Sequence, residues 1–371
     1  MVRSILILFL ACFAAPTTEP AAKVSAAQGG GAMLGVAPDI DPPPMTLRWT
    51  YLANENDRAS IDAAPVICGD LAYVADARGA LHAIDLETGK AKWKYETEDG
   101  FATSPLILGN RVFIGDLAGT VHCVSAGAGK LIWKKDTEAP IHASANSDGK
   151  HILLGNDGAD VLCLSPEDGK TIWKAQAGDR INAAPGIADG RAFYSGCDAQ
   201  LRCYDVATGK ELFDFDMGVL SGASAVIAGD RVIVSLDQGQ VMCIGTDGKT
   251  KHWMYEQVED QAMVYGTPAV HDGIVVVGAR DRQVHAINLE TGKRVWAFRT
   301  KGDVDGSPMI SAGRVYVGSC DKKLYVLDLK TGRQLWQFAA GRSIDGGVAI
   351  GQGVVVFGDS AGHVYCLESG K

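Results

Sequence analysis

All seven tryptophans of the 371-residue chain stand in one register: Trp49, Trp93, Trp133, Trp173, Trp253, Trp296 and Trp336. The steps between them are 44, 40, 40, 80, 43 and 40 residues, and Phe213 marks the midpoint of the double step. Eight aromatic marks at one period mean a repeated supersecondary unit. A period near 40 residues belongs either to stacked helical hairpins or to bundles of short strands, and the local pattern decides between them.

Each unit holds four short runs rich in Val, Ile, Tyr and Phe, clearest at residues 306–310, 314–318, 323–327 and 334–338. That spacing is strand spacing and leaves no room for helices. The first turn is Gly69-Asp70, Gly109-Asn110, Asp148-Gly149, Asp189-Gly190, Gly229-Asp230 or Asp272-Gly273 in successive copies, pairs that tolerate positive φ and favour tight hairpins. Four antiparallel strands per unit make one blade, whose apolar faces are buried only against neighbouring blades. The first three strands recur eight times, beginning near Ala63, Thr103, Ala143, Ala183, Ala223, Gly266, Gly306 and Gly346. The last copy runs out before a fourth strand, whereas an orphan fourth strand stands at residues 47–51. The expected fold is therefore an all-β, eight-bladed β-propeller over residues 47–371, closed by the N-terminal strand joining the last blade, which removes the exposed edges of an open array.

Ahead of the repeats, Arg3 and the apolar run 5–15 suit a signal peptide and are too short to span a bilayer. Residues 1–26 are read as that leader, with cleavage after Ala15 or after Val24-Ser25-Ala26, and the product as exported to the periplasm or cell envelope. The run Phe9-Leu10-Ala11-Cys12 loosely matches a lipoprotein box, which makes Cys12 a candidate for acylation and the one route to a membrane anchor. Residues 27–46, rich in Ala, Pro and Gly, are read as a flexible spacer. With 35 Lys and Arg against 44 Asp and Glu, a net charge of -9 repels phosphate backbones and excludes nucleic acid as a partner.

The run Ala83-Ile84-Asp85-Leu86-Glu87-Thr88-Gly89-Lys90-Ala91-Lys92-Trp93 resembles the tryptophan-docking motif of the pyrroloquinoline-quinone-like (PQQ-like) propellers. Similar runs stand at residues 286–296, 326–336 and 203–213. The glycine permits the sharp turn between third and fourth strands, and the small residue at the start of the motif leaves room for an indole. In this reading Trp49, Trp93, Trp133, Trp173, Phe213, Trp253, Trp296 and Trp336 are structural wedges and not a ligand cage. The resemblance implies two functions. Catalytic members bind PQQ with Ca²⁺ at the channel mouth, use an Asp as base, and carry long insertions and a pair of adjacent cysteines. This chain has blades of minimal length and no adjacent cysteines. It is more similar to the non-catalytic, BamB-like members, which implies a monomeric extracytoplasmic scaffold without cofactor. Its partners would be envelope proteins, the outer-membrane assembly machinery among them. The alternatives are a PQQ- and Ca²⁺-dependent alcohol or sugar dehydrogenase, or a non-catalytic sensor of a small ligand or cation.

Cys123, Cys163, Cys203, Cys243 and Cys366 share the third-strand slot held elsewhere by Ala83, Ala286 and Val326, so they are expected to be buried free thiols on separate blades, out of disulfide reach. Three positions before the Pro65 slot the copies read Asp62, Ala102, His142, Asn182, Gly222, Tyr265, Asp305 and Asp345. Ring closure makes Asp305, Asp345 and Asp62 neighbours, an acidic arc at the channel mouth and the candidate cation site.

Overall fold

The computed structural model describes residues 24–25, 31–53, 59–256, 258–259 and 262–370; Cys12 and all but Val24 and Ser25 of the leader lie outside them. Eight antiparallel sheets stand around one channel. Blade seven is typical: Met309–Ser311 lines the channel, followed outward by Arg314–Ser319, Lys323–Asp328 and Gln334–Ala339. Second and third strands are buried on both faces by the blades beside them, so they read as unbroken apolar runs such as Ile274–Ala279, in which every residue is buried. Fourth strands such as Ala91–Glu96 form the rim and alternate between exposed and half-buried positions. In blade eight, Met45–Leu52 pairs with His363–Ser369, with Trp49 opposite Cys366 and Leu52 opposite His363. The ring closes as the repeat count demands.

The wedges work across blades. Within its own sheet each ring stands opposite the small-residue slot, as in Trp93 with Ala83, Trp133 with Cys123 and Phe213 with Cys203. The eight described cysteines are free thiols, five of them buried. The indole then donates its N–H to a carbonyl of the next blade: Trp49 to Leu86, Trp93 to Ala126, Trp253 to Leu289 and Trp296 to Leu329, each at 2.8 Å. The surface that receives it is the turn glycine itself. A Cβ on Gly89, which sits at φ +68°, would stand 2.6 Å from Trp49 Cγ, and one on Gly332 would stand 2.5 Å from Trp296 Cδ2. The small slot therefore accommodates a blade's own tryptophan, and the glycine accommodates its neighbour's.

One expectation is overturned. The described part of the presumed spacer is no free tether but a strap laid across the inner strands. The carbonyls of Gly31, Ala32, Leu34 and Gly35 accept the amides of Ile187, Ile227, Val270 and Ile310, which belong to blades four, five, six and seven. Ala37 N–H donates to the Ile310 carbonyl, Ser311 Oγ to the Pro38 carbonyl, and Arg314 to the carbonyl of Ile40. Met33, Ala37, Ile40 and Met45 are buried. Low complexity suggested flexibility, but inner strands present unpaired backbone groups to the channel, and an extended small-residue segment satisfies them. Val24–Ser25, assigned to the leader, adds a fifth strand to blade one through Ile67 and Cys68.

Candidate functional site

Each inner strand runs from the mouth of the channel toward the strap, so residues at its start form a ring. All eight mouth residues, Asp62, Ala102, His142, Asn182, Gly222, Tyr265, Asp305 and Asp345, line one cavity of about 240 Å³, and Met33 of the strap lines it too. The channel is thus a cup, open at the mouth and floored by the N-terminal segment. The residue before the mouth position locks each strand start. Ile141, Ile181, Val304, Ile344 and Ile61 are buried, and each packs on a glycine at or next to the end of a second strand; a Cβ on Gly115 would stand 2.5 Å from Ile141 Cγ2.

The acidic arc exists as a lining, yet it is not a cation cage. Asp305 is clamped by Arg280 through two hydrogen bonds of 2.9 and 3.0 Å, and that guanidinium lies over the Tyr265 ring at 4.3 Å. Asp345 accepts from Ser343 Oγ and from Cys320 Sγ, and Asp62 accepts from Ser60 Oγ at 2.8 Å. Burial and the nearby Asp345 carboxylate push the Cys320 thiol up to about 12, so it stays protonated and donates. Among the described residues no three His, Cys, Asp or Glu side chains are grouped to hold a metal ion. The residues brought together here therefore do not fit a Ca²⁺ held by Asp62, Asp305 and Asp345. His142 pairs with Asp157 at 3.1 Å, and Asn182 Nδ2 reaches Cys197 Sγ at 3.8 Å, so neither completes a catalytic triad.

Sequence reading missed a second repeated constellation. Tyr51 Oη lies 3.0 Å from His82 Nδ1, and His82 Nε2 lies 3.0 Å from Asp76 Oδ2. The same chain recurs as Tyr95, His122, Asp116 and as Tyr255, His285, Asp281. With the neutral Nε2–H tautomer, tyrosine donates to the ring and the ring donates to the carboxylate, so every polar atom is satisfied. Burial raises the Asp76 carboxyl, but hydrogen bonds from His82 and from the Ala80 and Arg78 amides outweigh it and hold the group below its ordinary value. The histidine and aspartate of the first set are fully buried, with no room for a substrate, so these are staples between blades. The recurrence of Asp76 and His82 as Asp116 and His122, one period on, was the legible signal.

Docked indoles, small-residue slots and ring closure together define a PQQ-like repeat propeller. Its sequence matches the family model described as outer membrane protein assembly factor BamB over residues 39–117, 117–263 and 253–371, and the chain belongs to that family. No curated protein matches it. Among solved structures it is similar to the computationally designed Ika8 protein, at 17% identity over 85% of this chain and 98% of that one, with a TM-score of 0.74. It is similar also to the quinohemoprotein alcohol dehydrogenase from Comamonas testosteroni, at 13% identity over 92% and 80%, TM-score 0.77. A europium-containing methanol dehydrogenase gives 12% identity over 95% and 98%, TM-score 0.78. At such identities the likeness shows the fold alone.

Proposed function

We propose that this chain is an extracytoplasmic scaffold that docks a protein of the cell envelope, the outer-membrane assembly machinery being the expected partner. Membership of the BamB family is the observation that carries this reading, and the apolar run behind Arg3 supports export. The rim supplies a docking surface. Ile132, Ile172 and Leu212 stand on the outer strands of blades two, three and four and are 44%, 47% and 46% exposed, unusual for large aliphatic side chains at one repeated position. Ile132 and Ile172 border one groove of about 890 Å³ with Leu108, Pro166, Arg111 and Lys150, an apolar centre with a polar edge of the kind that partner surfaces use.

The test is recovery of partners from envelope extracts on the immobilised mature chain. Barrel-assembly components should be retained by the native protein and lost from the Ile132→Glu/Ile172→Glu variant, whose melting temperature should not move. Retention of a cytochrome in their place, or equal recovery on both proteins, defeats the proposal.

A further inference from the structure

Two residues inward from the mouth, the cup carries a second ring that the acidic arc hides: Ala64, Ser104, Ser144, Ala184, Ser224, Thr267, Ser307 and Gly347, all lining the cavity. Its hydroxyls are tied to the frame in one sense around the ring. Ser144 Oγ accepts the Ser104 amide at 2.9 Å, Ser224 Oγ the Ala184 amide at 3.1 Å, Thr267 Oγ1 the Ser224 amide at 3.3 Å, and Ser307 Oγ the Thr267 amide at 2.9 Å. Each oxygen is fixed by what it accepts, so its own O–H is left to donate. Among the described residues none of these four hydroxyls, nor that of Ser104, has a protein acceptor. Ser104, Ser224 and Thr267 are only 9%, 6% and 7% exposed, so the cavity is the place where those protons can be satisfied.

The donors and the charge lie on different arcs. Hydroxyls come from blades two, three, five, six and seven, whereas the uncompensated carboxylates, Asp345 and Asp62, stand over blades eight and one, where the inner ring is Gly347 and Ala64. Asp305 is neutralised by Arg280. Asp345 Oδ2 and Asp62 Oδ1 accept no hydrogen bond among the described residues. A cavity of about 240 Å³ lies below the roughly 300 to 1,000 Å³ of drug-sized sites, yet equals the share of about eight waters, enough for a single small ring.

We infer that the cup is a binding site for a small polyhydroxylated amine of amino-sugar size. Its hydroxyl oxygens accept from the Ser104, Ser144, Ser224, Thr267 and Ser307 ring, and its ammonium lies against Asp62 and Asp345. A neutral polyol satisfies the hydroxyl ring alone and leaves the two carboxylates without a counter-charge. A small anion satisfies the donors but meets those carboxylates at like charge. Only a cationic polyol uses both arcs. The site is separate from the outer groove and does not depend on the docking proposal.

Calorimetric titration of the full chain tests this with D-glucosamine, D-glucose and N-acetylglucosamine at about pH 6, where an amine of this kind is protonated. Glucosamine should bind at least about tenfold more tightly than the two neutral sugars, the usual scale for one charge-assisted hydrogen bond. Asp62→Asn/Asp345→Asn, a change of rim side chains that leaves the fold intact, should abolish that preference. Ser307→Ala should weaken all three sugars, and a melt of the same variant separates lost binding from lost folding. No heat from glucosamine at about 10 mM, a concentration that fills even a millimolar site, overturns the inference, as does a preference that survives the double Asn variant.

Discussion

Blade eight is the one blade built from both ends of the chain, and the two joints that flank it are made differently. Toward blade one, Trp49 docks on Gly89 with its N–H on the Leu86 carbonyl, and Tyr51 staples His82 and Asp76. Toward blade seven, Trp336 meets a blade whose third and fourth strands, His363–Ser369 and Met45–Leu52, are separate segments of the chain with no turn between them, and its indole N–H has no acceptor among the described residues. The strap takes the place of that turn. Ala37, Ile40 and Met45 pack in one cluster with Trp336 and Phe338, and Gly370 N–H donates to the Pro44 carbonyl. At the staple position Phe338 stands in for tyrosine and lies edge-on to Tyr365 at 5.7 Å, whose hydroxyl donates to Asp359 at 2.9 Å. A propeller that closes on its own first strand loses one docking turn, and here the segment before that strand repairs the loss.

The largest way to break this picture is to delete residues 31–44 while keeping the closing strand. Removal of Met33, Ala37 and Ile40 from buried positions should cost on the order of 5 kcal/mol in urea unfolding. It should also open the cup to a through-channel. An unchanged midpoint would mean that the strap rests on the ring without holding it. A sharper version compares two conservative changes. Trp49→Phe keeps a ring and deletes one buried N–H donor, for about 1 kcal/mol, whereas Trp336→Phe deletes an N–H without a protein acceptor and should be close to neutral. Phe213, which occupies this register in the native chain, shows that the ring alone is tolerated.

Glycine substitutions sharpen the same contrast from the receiving side. Gly89 and Gly69 both have positive φ, +68° and +58°, but only a Cβ at Gly89 meets an indole, since nothing lies within 4 Å of one at Gly69. Gly69→Ala should cost about 1 to 2 kcal/mol of backbone strain, and Gly89→Ala a further 1 to 3 kcal/mol for pushing Trp49 off its seat. Equal penalties would show that the glycines serve only their turns.

What was legible followed from periodicity. A repeat fixes register, so the positions of the wedges, the cysteine slots and all eight mouth residues could be read by alignment of the chain with itself, and closure followed from counting strands. The strap was illegible because it repeats nothing. Its Ala, Gly and Pro residues are too small to announce a core, and its partners are backbone groups that every sequence carries. The arc was legible as a place but not as chemistry, because Arg280, which neutralises Asp305, stands 25 residues away on a loop outside the repeated mouth position. The hydroxyl ring lay in plain register at Ser104, Ser144, Ser224, Thr267 and Ser307, but only geometry shows that the last four oxygens are each held by a neighbouring amide and that their protons are left over.

The joint to blade one is also the one of the two that acid should weaken. At the joint to blade one, burial raises the Asp76 carboxyl, and the stronger hydrogen bonds from His82 and backbone amides leave it below 3.8; Asp116 and Asp281 are lowered in the same way. A carboxyl whose folded value is depressed contributes stability that is fully present above the unfolded value and is lost as pH falls through the folded one. The three staples therefore support the ring fully from neutrality down to about pH 4, and that support is lost progressively as pH falls further through the lowered folded values. Asp76→Asn should flatten the acid limb of the stability curve and lower the neutral plateau, since an amide accepts from His82 less well than a carboxylate does. Tyr51→Phe leaves His82 Nδ1 without a donor and should cost about 1 kcal/mol at neutral pH, with the acid limb in place because the histidine–aspartate contact is untouched. If Tyr51→Phe removed the acid limb as well, the tyrosine and not the carboxylate would be the member of the staple that senses pH.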